Sequence, residues 1–312
     1  MEIKNVLICG LGAIGSIYAT KIKNANLKIL LDENRIGRYQ RDGLYFNNQR
    51  YDFSYILPSE NNFKADLIII ATKSTGFLSA IKGLENFITE KTIILSLLNG
   101  IRSEDILKEH YSNAKVLYSY YVGHASMKTQ NKVFYDGIGN IVFGEINNEK
   151  LSDDVLALKN FFDKEGIDYI IPKDMLSSMW KKFIINLGLN QTTALFQAPY
   201  GIFKVEYARK IAQNLMQEGV ILAQKVGAKG NFIEDAFKLI DEMPPEYKTS
   251  MEQDVEQGRK TEVDIFAGEV CNLGKKYGIS TPYNEFLYNY IKGKESSTWL
   301  KVIFGLHLRK DK

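Results

Sequence analysis

The stretch "VLICGLGAIGS", residues 6–16, limits more than any other what this chain can fold into. An apolar strand-like run ending in Cys9 meets Gly10, Gly12 and Gly15, and a helical pattern follows through Ser16–Lys23. In a G-x-G-x-x-G turn the first glycine permits the tight bend and the second lets backbone approach a diphosphate. The third lets helix and strand pack closely, and the helix N-terminus offers unpaired N–H groups to the anion. The motif alone is weak evidence. Here it stands between the strand and the helix that the mechanism requires. Gly10, Leu11, Gly12, Ala13, Ile14 and Gly15 are therefore the expected dinucleotide phosphate loop.

The segments that follow repeat the same alternation. "LKILLD", "DLIIIATK", "TIILSLLNG" and "KVLYSYYVG" are short apolar strands separated by helical or loop stretches. Runs of this kind argue for a parallel sheet covered by helices on both faces. "NKVFYDGIGNIVFGE" reads as two alternating strands around Gly137 and Gly139, a hairpin or edge addition. A helix ("DDVLALKNFFDKEG") and a strand ("DYIIP") close this region near Pro172, and beyond Met175 the strands stop. "IFKVEYARKIAQNLMQEGVILAQKVG" is long and amphipathic. "VDIFAGEVCNLGKKYG" puts Phe266, Val270, Leu273 and Tyr277 on one stripe closed by Gly278. "STPYNEFLYNYIKG" begins a last helix, with Pro282 at its first position and Thr281 or Ser280 as cap. The chain thus divides into an α/β half, 1–172, and an all-helical half, 173–312.

Composition narrows the partners. With 40 basic and 37 acidic residues in 312, the net charge of +3 leaves no electrostatic footprint for nucleic acid. The longest apolar runs, Leu67–Ala71 and Ile93–Leu98, are strand-sized, far below the ~20 residues of a membrane span. The two cysteines, Cys9 and Cys271, and the three histidines show no metal-ligand spacing and no disulfide framework. No leader pattern follows Met1. The expectation is a soluble, cytoplasmic protein without metal, nucleic-acid partner or membrane. The helical half could supply a homodimer face, although no heptad demands one.

Three positions follow strand ends, where open α/β sheets bind ligands. Asp32 and Glu33 lie 17 and 18 residues past Gly15, where an acid reaches the adenosine ribose 2′-hydroxyl. A carboxylate there repels a 2′-phosphate and favours NAD(H), although Arg35 and Arg38 stand close by. Lys73 follows the third strand, and the Asn99-Gly100 turn follows the next.

"WKKFIINLGLNQ", residues 180–191, poses a different question. As a helix it puts Lys182, Asn186 and Asn190 on one face and apolar residues on the others. Burying such groups unpaired costs roughly 2–7 kcal/mol for an amide and more for a charge. They are either satisfied inside the fold or line a cavity that receives a polar ligand.

These pieces, in this order, resemble the ketopantoate reductase family. The similarity rests on "GLGAIG", "TK" at 72–73, "NG" at 99–100 and "GHAS" at 123–126. It continues through "WKKFIINLGLNQTTAL", "TSMEQDVEQGRKTEVDIFAGEV" and "GISTP", and the helical segments are its more specific part. The resemblance implies an α/β Rossmann-type N-terminal domain with a parallel sheet, an all-α C-terminal domain, and an active site in the cleft between them. It implies NAD(P)H-dependent reduction of 2-dehydropantoate to (R)-pantoate in pantothenate biosynthesis. Lys182 then matches the catalytic lysine, acting as general acid, and Glu262 the glutamate beside it and the nicotinamide ribose. Asn186, Asn190 and Ser250 match substrate-binding residues. Asn99 matches an asparagine shared by cofactor and substrate, and Lys73 and Ser126 join the cofactor-binding set.

Two departures bear on specificity. NADPH-using relatives carry an arginine after the second strand where this chain has Asp32-Glu33, so the family implies NADP(H) while these acids favour NAD(H). Tyr200 and Tyr247 stand where some relatives have asparagines, which loosens the exact substrate more than the reaction. A reductase of another 2-oxo acid and a non-catalytic dinucleotide sensor are the alternative readings. His124 reads as a turn or core histidine, Trp180 as a packing anchor and "LYSYYVG" as strand core.

Overall fold

The computed structural model describes residues 1–123, 126–135, 137 and 139–304. The chain divides into two compact units, Met1–Leu176 and Ser177–Lys312.

The first unit opens with β1 (Asn5–Cys9), α1 (Ala13–Lys21), β2 (Asn26–Leu30) and α2 (Glu33–Asp42). Next come β3 (Leu44–Phe46), β4 (Gln49–Tyr51), β5 (Tyr55–Ile56), β6 (Leu67–Ile70), α3 (Ser74–Lys82), β7 (Ile93–Ser96) and α4 (Ser103–His110). It ends with β8 (Lys115–Val116), β9 (Tyr118–Val122), β10 (Ser126–Thr129), β11 (Lys132–Tyr135), β12 (Asn140–Gly144), α5 (Asp153–Glu165) and β13 (Tyr169–Ile170). Six strands pair in parallel in the order β5-β2-β1-β6-β7-β8. Successive residues of a strand point to opposite faces, and both faces are buried here. Val6, Ile8, Leu67, Ile69, Ile93 and Leu95 join one core with α1 and α5 residues such as Ile17, Leu158 and Phe162. Leu7, Cys9, Ile68, Ile70 and Ile94 join the other with Phe77, Ile81 and Leu107 of α3 and α4. Covered on both sides, these strands have no need of polar alternation, which is why they read as continuous apolar runs.

Two strand expectations need correction. "NKVFYDGIGNIVFGE" is no hairpin: β11 pairs antiparallel with β10 and parallel with β3, whereas β12 pairs with β9 and β13. The two strands belong to separate sheets of four (β10-β11-β3-β4) and three (β13-β12-β9). Likewise "KVLYSYYVG" splits after Val116, β8 staying with the parallel sheet and β9 turning to β12. Alternation shows that a strand is half-buried; the partner is set by distant segments.

The second unit contains most of α6 (Met175–Phe196), then α7 (Glu206–Lys225), α8 (Phe232–Glu242), α9 (Ser250–Glu256), α10 (Ala267–Tyr277) and α11 (Pro282–Phe304). Gly188 and Gly219 let α6 and α7 approach closely. A Cβ on Gly219 would lie 2.6 Å from Leu187 Cδ1, and one on Gly188 2.7 Å from Met216 Sδ. Gly278 closes α10 in the left-handed region at φ 67°. A buried polar network ties the bundle. Gln191 accepts the Ala267 N–H at 2.9 Å and donates to Asn284 Oδ1 at 3.1 Å. Asn284 in turn donates to Glu218 Oε2 at 2.7 Å. Each member is satisfied, so the network orients four helices without leaving a buried polar group unpaired.

Candidate active site

In the first unit the candidate residues gather at the carboxyl ends of β2, β1, β6 and β7, which are neighbours in the sheet. Gly10 follows β1 at φ +100°, a conformation that favours glycine. A Cβ on Gly15 would fall 2.0 Å from the Gly10 carbonyl oxygen, so α1 can start this close to the strand only without a side chain there. Gly12 is the N-cap of α1 and supplies no capping side chain. The Ser16 hydroxyl is turned inward, donating to Gly12 O at 2.7 Å. Leu11 is buried, whereas Ala13 and Ile14 in the first turn are half-buried. Beside the turn, the buried Thr72 hydroxyl has no hydrogen-bond partner among the described residues. An uncapped helix start and an orphaned hydroxyl next to a glycine cradle fit a dinucleotide diphosphate.

Asp32 ends the loop after β2 and caps α2. Its Oδ1 accepts the Arg35 N–H at 2.8 Å, and its Oδ2 pairs with Arg35 Nε at 3.2 Å. Glu33 is exposed in the first turn, and the Arg38 guanidinium lies 5.0 Å from the Tyr39 ring centroid. Lys73 is exposed as the N-cap residue of α3. Asn99 and Gly100 are half-buried after β7, with Gly100 at φ 99°. A few residues further on is one that sequence reading passed over. Glu104 is buried in the first turn of α4, accepting the Ser119 N–H at 3.2 Å and the Ser103 hydroxyl at 2.9 Å. Burial pushes its carboxyl up to about 7 against those hydrogen bonds. Ser126 starts β10, and its side chain and all of His124 lie outside the described residues.

In the second unit, α6 holds Lys182 and Asn186 half-buried and Asn190 buried along one face. The fully buried Gln191 lies half a turn away from Lys182, inside the bundle network. Removal from water pushes the Lys182 ammonium down to about 8, while the Glu262 carboxylate pulls it back up. Glu262 stands just before a short 3₁₀ turn, Val263–Ile265, and both its flanks are pinned to α11. Thr261 donates its N–H and its hydroxyl to Glu295 Oε1, each at 2.8 Å. Asp264 takes the Tyr288 hydroxyl at 3.0 Å and the Lys292 ammonium at 3.1 Å. Sequence reading missed these anchors because nothing in "TEVD" announces its partners on α11.

Ser250 is the first residue of α9 and is exposed, after Thr249 as N-cap. The two tyrosines noted in the sequence are neighbours: the Tyr200 N–H donates to the Tyr247 carbonyl at 2.9 Å. Trp180 is buried edge-on against Phe183, as a packing anchor would be. Among the described residues no group of His, Cys, Asp or Glu could hold a metal ion, and no helix is long and apolar enough to cross a membrane. Both cysteines are free.

A parallel α/β unit with a glycine turn at its strand ends, followed by a helical unit bearing a desolvated lysine opposed by a glutamate, defines a two-domain nicotinamide-dependent oxidoreductase. Within that class the chain belongs to the ketopantoate reductase PanE/ApbA family. The family's models match residues 6–148 and, for its C-terminal part, 174–295. A 2-dehydropantoate 2-reductase of Streptococcus pyogenes is 28% identical over 303 residues, covering 93% of this chain and 98% of that relative. Among solved structures, D-mandelate dehydrogenase with NADH and anilino(oxo)acetate superposes with a TM-score of 0.83 at 23% identity, over 94% of this chain and 99% of that one. Dimeric ketopantoate reductase from Staphylococcus aureus gives 0.80 at 19% identity, over 94% and 99%. At these identities the two structures speak for the fold.

Proposed function

We propose that this protein reduces 2-dehydropantoate to (R)-pantoate, the step that feeds pantothenate synthesis. One observation carries the reading: a lysine lowered to about 8 and opposed by Glu262, at the head of a polar helix face in a family whose named relatives catalyse this reduction. The nicotinamide, when bound, supplies the hydride to C2 of the acid. Lys182 stabilises the negative charge that grows on the carbonyl oxygen and then gives that oxygen its proton. A donor near 8 is still mostly protonated at pH 7, yet yields its proton far more readily than a lysine at 10.5. Glu262 keeps the ammonium charged in a site that desolvates it. Asn186 and Asn190 offer amide donors and acceptors to hydroxyl and carboxylate oxygens, and Ser250 adds a hydroxyl. The loop from Gly10 to Gly15 takes the diphosphate, and Lys73, Asn99 and Ser126 complete the cofactor set.

The preferred cofactor is NADH. The Asp32 carboxylate suits a free ribose 2′-hydroxyl and repels a 2′-phosphate. The nearest candidate phosphate ligand, Arg35, is already paired with that carboxylate at 3.2 Å. The enzyme acts in the cytoplasm and as a homodimer, as the description of the Staphylococcus aureus relative as dimeric suggests; sedimentation velocity checks the second point.

A second substrate reading, another branched or aromatic 2-oxo acid, draws on the adjoining Tyr200 and Tyr247 and on the structural neighbour described with anilino(oxo)acetate. Initial rates with ketopantoate and a series of such acids, each with NADH and with NADPH, separate the readings. Highest kcat/KM on ketopantoate supports the first. A tenfold lead for an aromatic acid moves the assignment to the second, and no turnover on any 2-oxo acid sinks both.

A further inference from the structure

The polar face of α6 does not stop at Asn190. Thr193 lies 11 residues, about three turns, beyond Lys182 and within about 20° of it around the helix. Its side chain is fully buried and meets Thr249, the N-cap of α9, with the two hydroxyl oxygens 2.6 Å apart. Either hydroxyl can be the donor of this bond. Thr193 has one hydroxyl hydrogen, and the carbonyls of Leu189 at 2.9 Å and Asn190 at 3.2 Å can only accept it. When Thr193 gives its hydrogen to those carbonyls, the Thr249 hydroxyl donates to Thr193, and in either arrangement Thr249 Oγ1 accepts the Glu252 N–H at 3.1 Å. The result is one hydrogen-bonded chain of the Glu252 N–H, Thr249, Thr193 and the Leu189 carbonyl, joining the start of α9 to the end of the polar face. Both hydroxyls are shielded from water, since Thr249 is only 4% exposed, so the bond competes with no solvent. Ser250 is the next residue after the bridge.

We propose that Thr193 and Thr249 are positioning residues for substrate binding: their hydroxyl bridge sets Ser250 in register with Asn186 and Asn190. The proposal rests on the reading of Ser250 as a substrate ligand given above. A bridge of this kind acts on affinity for the acid and leaves the acid catalyst Lys182, three turns away, and the dinucleotide loop alone. It also demands a hydroxyl at 193. Valine keeps the shape and loses the bond, whereas serine keeps the bond and loses a methyl group.

The test compares Thr193→Val and Thr193→Ser with the unmodified full chain, using NADH and the best 2-oxo acid from the rate series. We expect Thr193→Val to raise KM for the acid about tenfold, with kcat within twofold and the NADH dissociation constant unchanged, and Thr193→Ser to stay within twofold throughout. In a Ser250→Ala background, Thr193→Val should add no further rise, because the residue it positions is gone. An unchanged KM in folded Thr193→Val overturns the proposal, as do equal KM rises for valine and serine or a full additive rise in the Ser250→Ala background. Thermal melting shows whether each variant is folded. If valine does not fold, Thr249→Ser against Thr249→Ala makes the same comparison from the other end of the bridge. Absence of turnover by the unmodified protein would instead count against the functional reading itself, so the two failures are distinct.

Discussion

The candidate sites of the two units are built from different materials. In the first unit the glycine turn works through backbone. Its bend needs φ +100° at Gly10, and its closeness needs hydrogen where Gly15 would carry a Cβ 2.0 Å from a carbonyl oxygen. In the second unit the polar face of α6 works through side chains whose properties are conferred from far along the chain. Lys182 is lowered by burial and steadied by Glu262, and Glu262 is flanked by residues held on α11 through contacts spanning 34 positions. A backbone site is fixed by local geometry and tolerates almost no change at a few positions. A side-chain site keeps its shape under many changes but depends on its electrostatic surroundings for its chemistry.

The comparison can be broken at either end. The largest effect is expected at Lys182. Replacement by alanine should lower kcat by about 10²–10⁴, the usual range for losing a general acid, with dinucleotide affinity unchanged in a fluorescence titration. Full turnover in a folded Lys182→Ala protein would falsify the side-chain half of the comparison. The same lysine sets a pH signature: because burial lowers its pKa to about 8, reduction should be fully supported below that pH and decline as pH rises through it. Next comes Gly15→Ala. The added methyl must displace the Gly10 carbonyl or the start of α1, at about 1–3 kcal/mol for forced overpacking. Dinucleotide affinity should fall by about tenfold or more, and an unchanged dissociation constant would mean the turn is not the cofactor site.

Smaller effects sharpen the contrast. Asp32→Ala removes both an acid from the ribose position and the cap of α2, and it releases Arg35. The ratio of kcat/KM for NADPH to that for NADH should rise about tenfold, roughly the 1.4 kcal/mol of one decade, and loss of the cap should lower stability by about 1 kcal/mol. A ratio that does not move separates Asp32 from cofactor choice. The smallest effect concerns Glu104. Its carboxyl is raised from 4.5 to about 7, so the folded protein holds that proton more tightly than the unfolded chain. The resulting stability is complete below 4.5 and is lost as pH rises through about 7. Glu104→Gln, which has no proton to lose, should therefore melt about 2–4 °C above the unmodified protein at pH 8 and show no such gain at pH 5. Equal melting temperatures at both pH values would show that burial does not hold the proton on this carboxyl.

How much of this was legible in the sequence differs between the two units in the same way. "GLGAIG" named its own strand, turn and helix, because glycine at those positions answers a local steric demand. The apolar runs at 67–70 and 93–96 named buried parallel strands for a similar reason. The stretch at 131–145 announced two strands but not their partners, and these turned out to lie in separate sheets. In α6 the periodicity put Lys182, Asn186 and Asn190 on one face but passed over Thr193, because a threonine near the end of an apolar helix looks like filler until its partner at 249 is known. Glu104 was silent for the same reason: an acid in the first turn of a helix reads as exposed, and only the fold buries it.

Residues close together in the chain fixed the elements whose cause is local: the glycine turn, the buried strands, the helix end at Gly278, and the polar stripe of α6. Tertiary structure alone decided strand partnership, the burial that lowers Lys182 and raises Glu104, and the bond from Thr193 to Thr249. The physical reason is range. Backbone sterics and helical periodicity act between near neighbours along the chain, whereas desolvation and side-chain pairing depend on which distant segments exclude water from the same place.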